Sequence, residues 1–250
     1  MHTWRRFPST RAPIGRIKEG WEMRFGDGSC PRNGRSAIEA YVEVPSVRDL
    51  LARCGACASD IAAIKEVLAL EWAFFDQVKG LEGRAACQDD ARSFFIYRLA
   101  QYLVFPFAFV HLVLDDLKRL DAAGRNPVAE KYARMMAVTD PERFRADWSH
   151  ALPAVSPVRA CALHEVERAL TAFARKAAET SPKAAAHARA ETSLPQRVSA
   201  VDYMLGEVAP YSLRTVWFLR DALDDMARSD VNPILDAYAY ACAIDRLPGV

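Results

Sequence analysis

The sequence contains no apolar run long enough to cross a lipid bilayer. The longest run, "YLVFPFAFVHLVL" at residues 102–114, is interrupted by Pro106 and carries His111, whereas a spanning helix needs about 20 apolar residues. The first residues also lack the apolar segment of a signal peptide. These absences predict a cytoplasmic protein with no membrane partner.

An excess of charge of one sign is also missing. The chain has 33 Lys and Arg against 32 Asp and Glu, which gives a formal net charge of +1. Because domains that bind nucleic acids usually present a strongly basic surface, we expect no nucleic-acid partner. Basic residues do dominate residues 1–24, and this segment is consistent with a transit peptide, a disordered arm or a start codon placed too early.

Cysteines are few, and the common motifs of metal and cofactor sites are absent. Six cysteines in 250 residues do not make a disulfide scaffold, so we expect reduced thiols. Cys54 and Cys57 form a CxxC pair, but no second pair or histidine stands at the spacing of a zinc or haem site. The sequence also lacks a glycine-rich phosphate loop, a GxSxG motif and an HExxH motif. We therefore expect neither a metal nor another cofactor.

Alternating runs of β-branched residues are nearly absent, whereas helix starts are frequent. The best strand candidate is "AYVEVPSV", residues 40–47, which is short and bounded by proline. At several places a side chain that can cap a helix precedes a proline, which suits the first helical position. These places are Asn126-Pro127, Asp140-Pro141, Ser156-Pro157, Ser181-Pro182 and Asn232-Pro233.

The helix starts and the apolar spacing together predict an all-α fold. We expect helices near residues 46–54, 60–79, 89–104, 107–123, 127–137, 140–151, 157–180, 182–190, 199–208, 212–228 and 233–245. We interpret residues 46–250 as one all-helical domain with an orthogonal or bundle-like arrangement of many helices. Residues 1–45 are interpreted as a mostly irregular, basic N-terminal arm.

Some polar residues stand where the pattern calls for apolar ones. Glu71 lies in an apolar arc of the helix at 60–79, and a carboxylate there is costly to bury unless it is paired. In the helix at 89–104, Asp90, Arg98 and Gln101 fall on one side. That side could face solvent, but both neighbouring helices are so apolar that we favour an internal polar face, with Arg84 entering just before it.

Two later segments carry similar features. Glu130 and Arg134 are four residues apart, which is the spacing of an ordinary ion pair on a helix surface. Gly206 lies inside an apparent helix, where glycine costs about 1 kcal/mol relative to alanine. It therefore indicates the close approach of another backbone or a ligand, and Tyr203 and Glu207 share its face.

Three segments together resemble a bacterial family of unknown function, domain-of-unknown-function family four-one-two-five. They are "LEWAFFDQVKGLEGRAACQDD", "GRNPVAEKYARMM" and "VDYMLGEVAPYS", which end at residues 90, 136 and 212. The resemblance covers roughly residues 60–245, with the motifs in the family's order. The sequence departs from the family pattern at Ala100, where the family has serine, and at Leu205, where it has arginine.

The family pattern, carried onto the matching positions, implies a set of site residues. Those interpreted as catalytic are Glu71, Asp90, Glu130, Glu207 and Tyr203. Those interpreted as substrate-binding are Trp72, Arg84, Gln88, Asp89, Arg98, Gln101, Lys131, Arg134 and Tyr211. Cys87 matches the pattern as well, without an assigned role. The family name implies no reaction.

Arginines, carboxylates and amides without a nucleophile motif suit acid–base chemistry on a small polar molecule. A carboxylate or phosphate group could bind Arg84, Arg98 or Arg134, and a desolvated Glu71 or Asp90 could serve as general acid or base. We therefore expect a non-redox enzyme of lyase, isomerase or hydrolase type, and a homodimer is a possible assembly. Two alternatives stay open: a non-catalytic helical module that binds a ligand or partner, and an enzyme with a divalent metal on Asp89, Asp90, Glu130 or Glu207.

Overall fold

The computed structural model describes residues 34–78, 85–181 and 198–250, and these residues form helices and no strand. The helices are α1 Gly34–Glu43, α2 Pro45–Arg53, α3 Ala58–Asp76, α4 Ala91–Val104, α5 Phe107–Ala122, α6 Pro127–Thr139, α7 Pro157–Thr180, α8 Ala200–Val208, α9 Leu213–Arg228 and α10 Pro233–Asp245. A 3-10 turn, Ala86–Asp89, precedes α4, and a helical turn, Pro141–Arg143, continues into a π-helical turn, Phe144–Trp148. The expected all-α fold is confirmed. The expected helix at 182–190 lies outside the described residues.

The N-terminal end of the described chain differs from the sequence prediction. Residues 40–47 are not a strand, because α1 and α2 cover them and meet near Val44. Within the predicted arm at 1–45, α1 is regular, and its Ile38 and Val42 are fully buried. The ring of Tyr41 stacks on that of Phe95 at 5.0 Å. The apolar residues of α1 recur at helical spacing and form one core-facing stripe, which explains why the segment is helical.

Helix α3 lies at the centre of the fold and determines where the site is. It packs against α1, α4, α5 and α6, and it is buried on most of its circumference. Helix α6 also packs against α8. Helices α3, α4, α6 and α8 are therefore close enough for side chains from all four to meet.

Four of the five predicted caps form, at Asn126, Asp140, Ser156 and Asn232, and the helix expected after Ser181 lies outside the described residues. The two asparagine caps also connect neighbouring helices. The side chain of Asn126 accepts a hydrogen bond from the amide of Ala129 and donates one to the carbonyl of Phe74, at 2.9 and 2.8 Å. Asn232 caps α10 and donates to the carbonyl of Phe173 at 3.0 Å. The asparagine amide therefore fixes both the start of its own helix and the position of the adjacent one.

No helix within the described residues combines the length and the apolar character that a membrane span requires.

Candidate functional site

The site is built around a buried arginine held between two buried glutamates. Arg98 of α4 donates from Nε to Oε2 of Glu71 at 2.9 Å and from Nη2 to Oε1 of the same carboxylate. Its Nη1 and Nη2 donate to Oε2 and Oε1 of Glu207 at 2.9 and 3.0 Å. The side chains of all three residues are at least nine-tenths buried. Each carboxylate thus receives two charge-assisted bonds from one guanidinium.

Three further side chains complete this cluster. Gln101 accepts from Arg98 Nη1 at 2.6 Å and donates to Glu207 at 3.3 Å. Tyr102 donates its hydroxyl proton to Glu71 at 2.7 Å. Lys131 of α6 donates to Glu207 Oε2 at 2.8 Å. Two cations and two carboxylates therefore meet in a volume from which water is largely excluded. We call Glu71, Arg98, Gln101, Tyr102, Lys131 and Glu207 the polar cluster.

Local sequence explains how α6 and α8 come close enough for this pairing. Gly206 packs on the main chain of Lys131, and a Cβ atom at position 206 would lie 3.3 Å from the Lys131 carbonyl oxygen. The expected close approach of another backbone at Gly206 is therefore present. It brings Glu207 within reach of Lys131, whose ammonium also lies 3.4 Å from the centre of the Tyr203 ring.

A cavity of about 590 Å³ adjoins the polar cluster, which is within the range of small-molecule sites. Glu71, Arg98, Lys131 and Glu207 contribute to its wall, and Asp89, Asp90 and Cys87 line it from the turn before α4. Most of the remaining wall is aromatic and comes from Phe75, Phe94, Tyr97, Tyr132, Tyr203 and Tyr211. The cavity therefore joins an aromatic surface to a charged one.

The two glutamates have different protonation behaviour. Desolvation raises the pKa of Glu71; the charge of Arg98 opposes this shift, and the negative charge of Glu207 adds to it. Desolvation of Glu207 acts in the same direction, but Arg98 and Lys131 together outweigh it and lower its pKa to about 2. The difference has a structural cause, since Glu207 has two cationic partners and Glu71 has one.

The buried tyrosines are neutral hydrogen-bonding groups. Burial, with the nearby charge of Glu71, raises the pKa of Tyr102 well above its ordinary value. Burial and the charge of Glu207 do the same to the pKa of Tyr211. Arg98 stays protonated, because the two glutamates outweigh its desolvation and raise its pKa. Glu71 is therefore the member of the polar cluster best suited to gain and lose a proton.

The chain matches one family of known proteins. The family model of a protein of unknown function, DUF4125, matches residues 62–244. The chain belongs to this family. No curated protein and no solved structure matches it.

Most of the sequence-predicted residues of this DUF4125 protein lie in or beside the cavity. Glu71, Arg98, Gln101, Lys131 and Glu207 form the core of the polar cluster. Tyr203, Tyr211, Asp89 and Asp90 line the cavity. Arg84 lies outside the described residues.

Other predicted residues have different surroundings. Asp90 does not join Arg98; its carboxylate caps α4 by accepting from the amide of Ser93 at 2.9 Å. Gln88 is buried and donates to the carbonyls of Phe75 and Val78 at the end of α3, at 2.7 and 2.9 Å. Trp72 packs edge-on against Phe94 at 5.0 Å.

Glu130 and Arg134 do not form the ion pair that their spacing indicated. Glu130 instead accepts two bonds from Arg125, at 2.7 and 2.8 Å. The side chain of Arg125, which enters from the turn before α6, donates to both carboxylate oxygens of Glu130 in the two-bond arrangement that makes arginine–carboxylate pairs strong.

The sequence interpretation missed Tyr102 and four of the six aromatic residues in the cavity wall. The apolar pattern puts Tyr102 on the apolar side of α4, but it stands four residues after Arg98, and that spacing brings the two side chains together on neighbouring turns. No comparable signal exists for Phe75, Phe94, Tyr97 and Tyr132, because aromatic residues in apolar helices are usually core.

Metal binding has no geometric support among the described residues. No group of three or more His, Cys, Asp and Glu side chains there is placed to hold a metal ion. Three of the four carboxylates considered for a metal have separate partners: Asp90 caps α4, Glu130 pairs with Arg125, and Glu207 pairs with Arg98 and Lys131.

Proposed function

We propose that this DUF4125 protein is a non-redox enzyme that performs acid–base chemistry on a small polar molecule in the cavity. The observation that carries the proposal is the pair of buried carboxylates on one guanidinium, in which the pKa of Glu71 is raised and that of Glu207 is lowered to about 2. Carboxyl groups whose environments separate their pKa values in this way are typical of general acid–base sites.

The residues of the polar cluster have distinct roles in this reaction. Glu71 exchanges a proton with the bound molecule, and the Tyr102 hydroxyl, 2.7 Å from Glu71 Oε1, orients its carboxyl group. Glu207 stays ionised and holds Arg98 and Lys131 in place. Proton transfer by a fixed carboxyl serves isomerisation, elimination and hydrolysis alike, so the proposal extends to those reaction types.

The lining of the cavity also limits what kind of substrate can bind there. All three nitrogens of Arg98 already bond to protein groups, and Lys131 is paired with Glu207. A carboxylate or phosphate on the substrate would have to compete with these glutamates. The rings of Phe75 and Phe94, stacked at 5.7 Å, offer an apolar face instead. We infer a polar molecule with a flat or apolar part that packs on this wall.

Deuterium exchange tests the proposal even while the product is unidentified. A panel of small polar metabolites is screened for binding by ligand-observed NMR, and the binders are incubated with the protein in D2O. We expect one binder to be converted or to take up deuterium at carbon, and Glu71→Gln to bind it while losing about 10²–10⁴-fold in rate.

Glu66→Gln is the matched control. Glu66 lies on the same helix and pairs with Lys118 at 2.8 Å, with 44% of its side chain exposed. The control should keep full activity. A binder that is neither converted nor exchanged by the wild-type protein would contradict the proposal, as would a Glu71→Gln variant of undiminished rate.

One observation favours the alternative of a non-catalytic ligand-binding module. The hydrogen bonds of Arg98 are satisfied within the protein, so the polar cluster could serve to fix the helices in place. In that case Glu71→Gln would change the stability, and no binder would show exchange. The cytoplasmic location and the homodimer inferred from the sequence remain part of the proposal.

A further inference from the structure

A second cavity, of about 220 Å³, lies where α4, α7, α8 and α10 meet. It is smaller than the roughly 300–1,000 Å³ of sites that hold a whole small molecule, so its size suits one part of a ligand. Tyr97 of α4 and Tyr203 of α8 line both this cavity and the first one, beside the polar cluster. The two cavities therefore adjoin at these two rings.

The wall of the second cavity is mainly aliphatic. No charged side chain in the described part of the chain lines it. Its aliphatic side chains are those of Val104, Leu170, Val201, Met204, Ile234 and Ala237. All of them belong to the hydrophobic core or pack against it. Such a wall favours an apolar ligand part, because burying a polar group there without a partner is costly.

Gln101 stands between the second cavity and the charges of the polar cluster. It lines the second cavity, and its Oε1 accepts from Arg98 at 2.6 Å. Its Nε2 lies 3.1 Å from Met204 Sδ and 3.3 Å from Glu207 Oε1. Both ends of its amide are therefore bonded within the protein. Because Arg98 and Glu207 line the first cavity, this one side chain also spans the distance between the two cavities.

We propose that the second cavity is a subsite for an alkyl chain of the substrate, whose polar end reaches Glu71 in the first cavity. This inference rests on the proposed function, and it makes the substrate class amphiphilic: a polar reactive group that carries a chain of several carbons. The chain would pass beside the rings of Tyr97 and Tyr203, which line both cavities.

Binding of primary amides of increasing chain length tests the proposal. The series runs from butanamide to octanamide; these probes are uncharged and so do not compete with the glutamates for Arg98 or Lys131. Their dissociation constants for the full-length protein are measured by ligand-observed NMR. We expect the affinity of the wild type to rise about fourfold for each added methylene, until the chain fills the second cavity.

Substitutions that fill the second cavity identify where the chain binds. Ala237 lies in its wall on α10, so Ala237→Phe should lose the dependence on chain length and still bind butanamide. Ala200→Leu fills the same cavity from the start of α8 and provides the same readout should Ala237→Phe not fold. Ala172→Phe is the control, since Ala172 is exposed on α7; it should keep the wild-type dependence.

Affinities that do not rise with chain length in the wild type would overturn the proposal. An equal rise in the wild type and in the filling variants would overturn it too, by showing that the chain binds elsewhere. The readout is binding alone, so a failure here is distinct from a failure of the proposed function, which would show as the absence of conversion and deuterium exchange.

Discussion

Arg98 holds two buried carboxylates, so its removal leaves both without their common partner. We expect Arg98→Met to lower the free energy of unfolding by about 3–5 kcal/mol. Arg92 offers a control on the same helix, since it pairs with Asp245 at 2.8 Å with 39% of its side chain exposed. Arg92→Met should cost under about 1 kcal/mol. Urea unfolding at neutral pH measures both, and similar losses in the two variants would show that the polar cluster behaves like a surface pair.

The two glutamates make opposite contributions to stability as the pH changes. The pKa of Glu207 falls from its ordinary 4.5 to about 2 on folding. Its contribution to the free energy of unfolding is therefore complete above about pH 4.5 and is lost as the pH drops toward 2. It amounts to something on the order of 3 kcal/mol. The pKa of Glu71 is raised, so its contribution is complete below 4.5 and is lost as the pH rises through the raised value.

Unfolding experiments on Glu71→Gln and Glu207→Gln across this pH range separate the two contributions. The free energy of unfolding of the wild type minus that of Glu207→Gln should decrease as the pH falls below 4.5. The free energy of unfolding of the wild type minus that of Glu71→Gln should decrease as the pH rises above 4.5. Differences that do not vary with pH would contradict the assigned protonation behaviour.

Individual side chains were only partly predictable from the sequence. Helical spacing correctly put Arg98 and Gln101 on one inward face of α4, and the apolar arc around Glu71 correctly indicated a buried carboxylate. Asp90 shares that side in the sequence pattern but does not bond to Arg98; it caps α4 instead, because a carboxylate directly before a helix can accept from the free amides of its first turn. Glu207 lies 109 residues after Arg98, and no local pattern indicates so distant a contact.

At the scale of the helices, the contact between α6 and α8 depends on Gly206. Alanine at this position would stabilise the helix by about 1 kcal/mol relative to glycine, because of its higher helix propensity. Its Cβ would lie 3.3 Å from the Lys131 carbonyl oxygen, and overpacking of this kind costs about 1–3 kcal/mol. We therefore expect Gly206→Ala to leave the stability unchanged or lowered, and to weaken the bond between Lys131 and Glu207.

The exposed Ala172 of α7 provides the reference for helix propensity alone. Ala172→Gly should lose about 1 kcal/mol in the same urea assay. A Gly206→Ala protein that is more stable than the wild type by a similar amount would show that the close approach exerts no constraint.

Helices were the most predictable level of this structure. A cap followed by proline marks a physical event that is local in sequence, and α6, α7 and α10 begin at the expected prolines. Helix α1 was missed because a short, proline-bounded segment rich in Val and Tyr also suits a strand. Its apolar spacing was the signal that could have decided between the two.

At the scale of the whole molecule, α1 belongs to the folded body. Full burial of Ile38 and Val42 contributes about 1.5–3 kcal/mol for each side chain. A chain that begins at Pro45 should therefore melt several degrees below one that begins at Gly34. Ile38→Ala should lower the melting temperature in the same direction, whereas Arg35→Ala, 55% exposed on α1, should not. Equal melting temperatures for the two truncated chains would place α1 outside the stable core.

The central claim is that Glu71 carries a proton more readily than usual beside a Glu207 that stays ionised to low pH. Carboxyl-carbon NMR tests this claim most directly. Protein labelled with carbon-13 at the glutamate carboxyl carbons is titrated, and the two signals are assigned by their absence from Glu71→Gln and Glu207→Gln. We expect Glu71 to titrate above its ordinary pKa of 4.5 and Glu207 to stay ionised down to a pKa of about 2. A Glu71 signal that titrates at or below 4.5, or a Glu207 signal that titrates above it, would contradict the account.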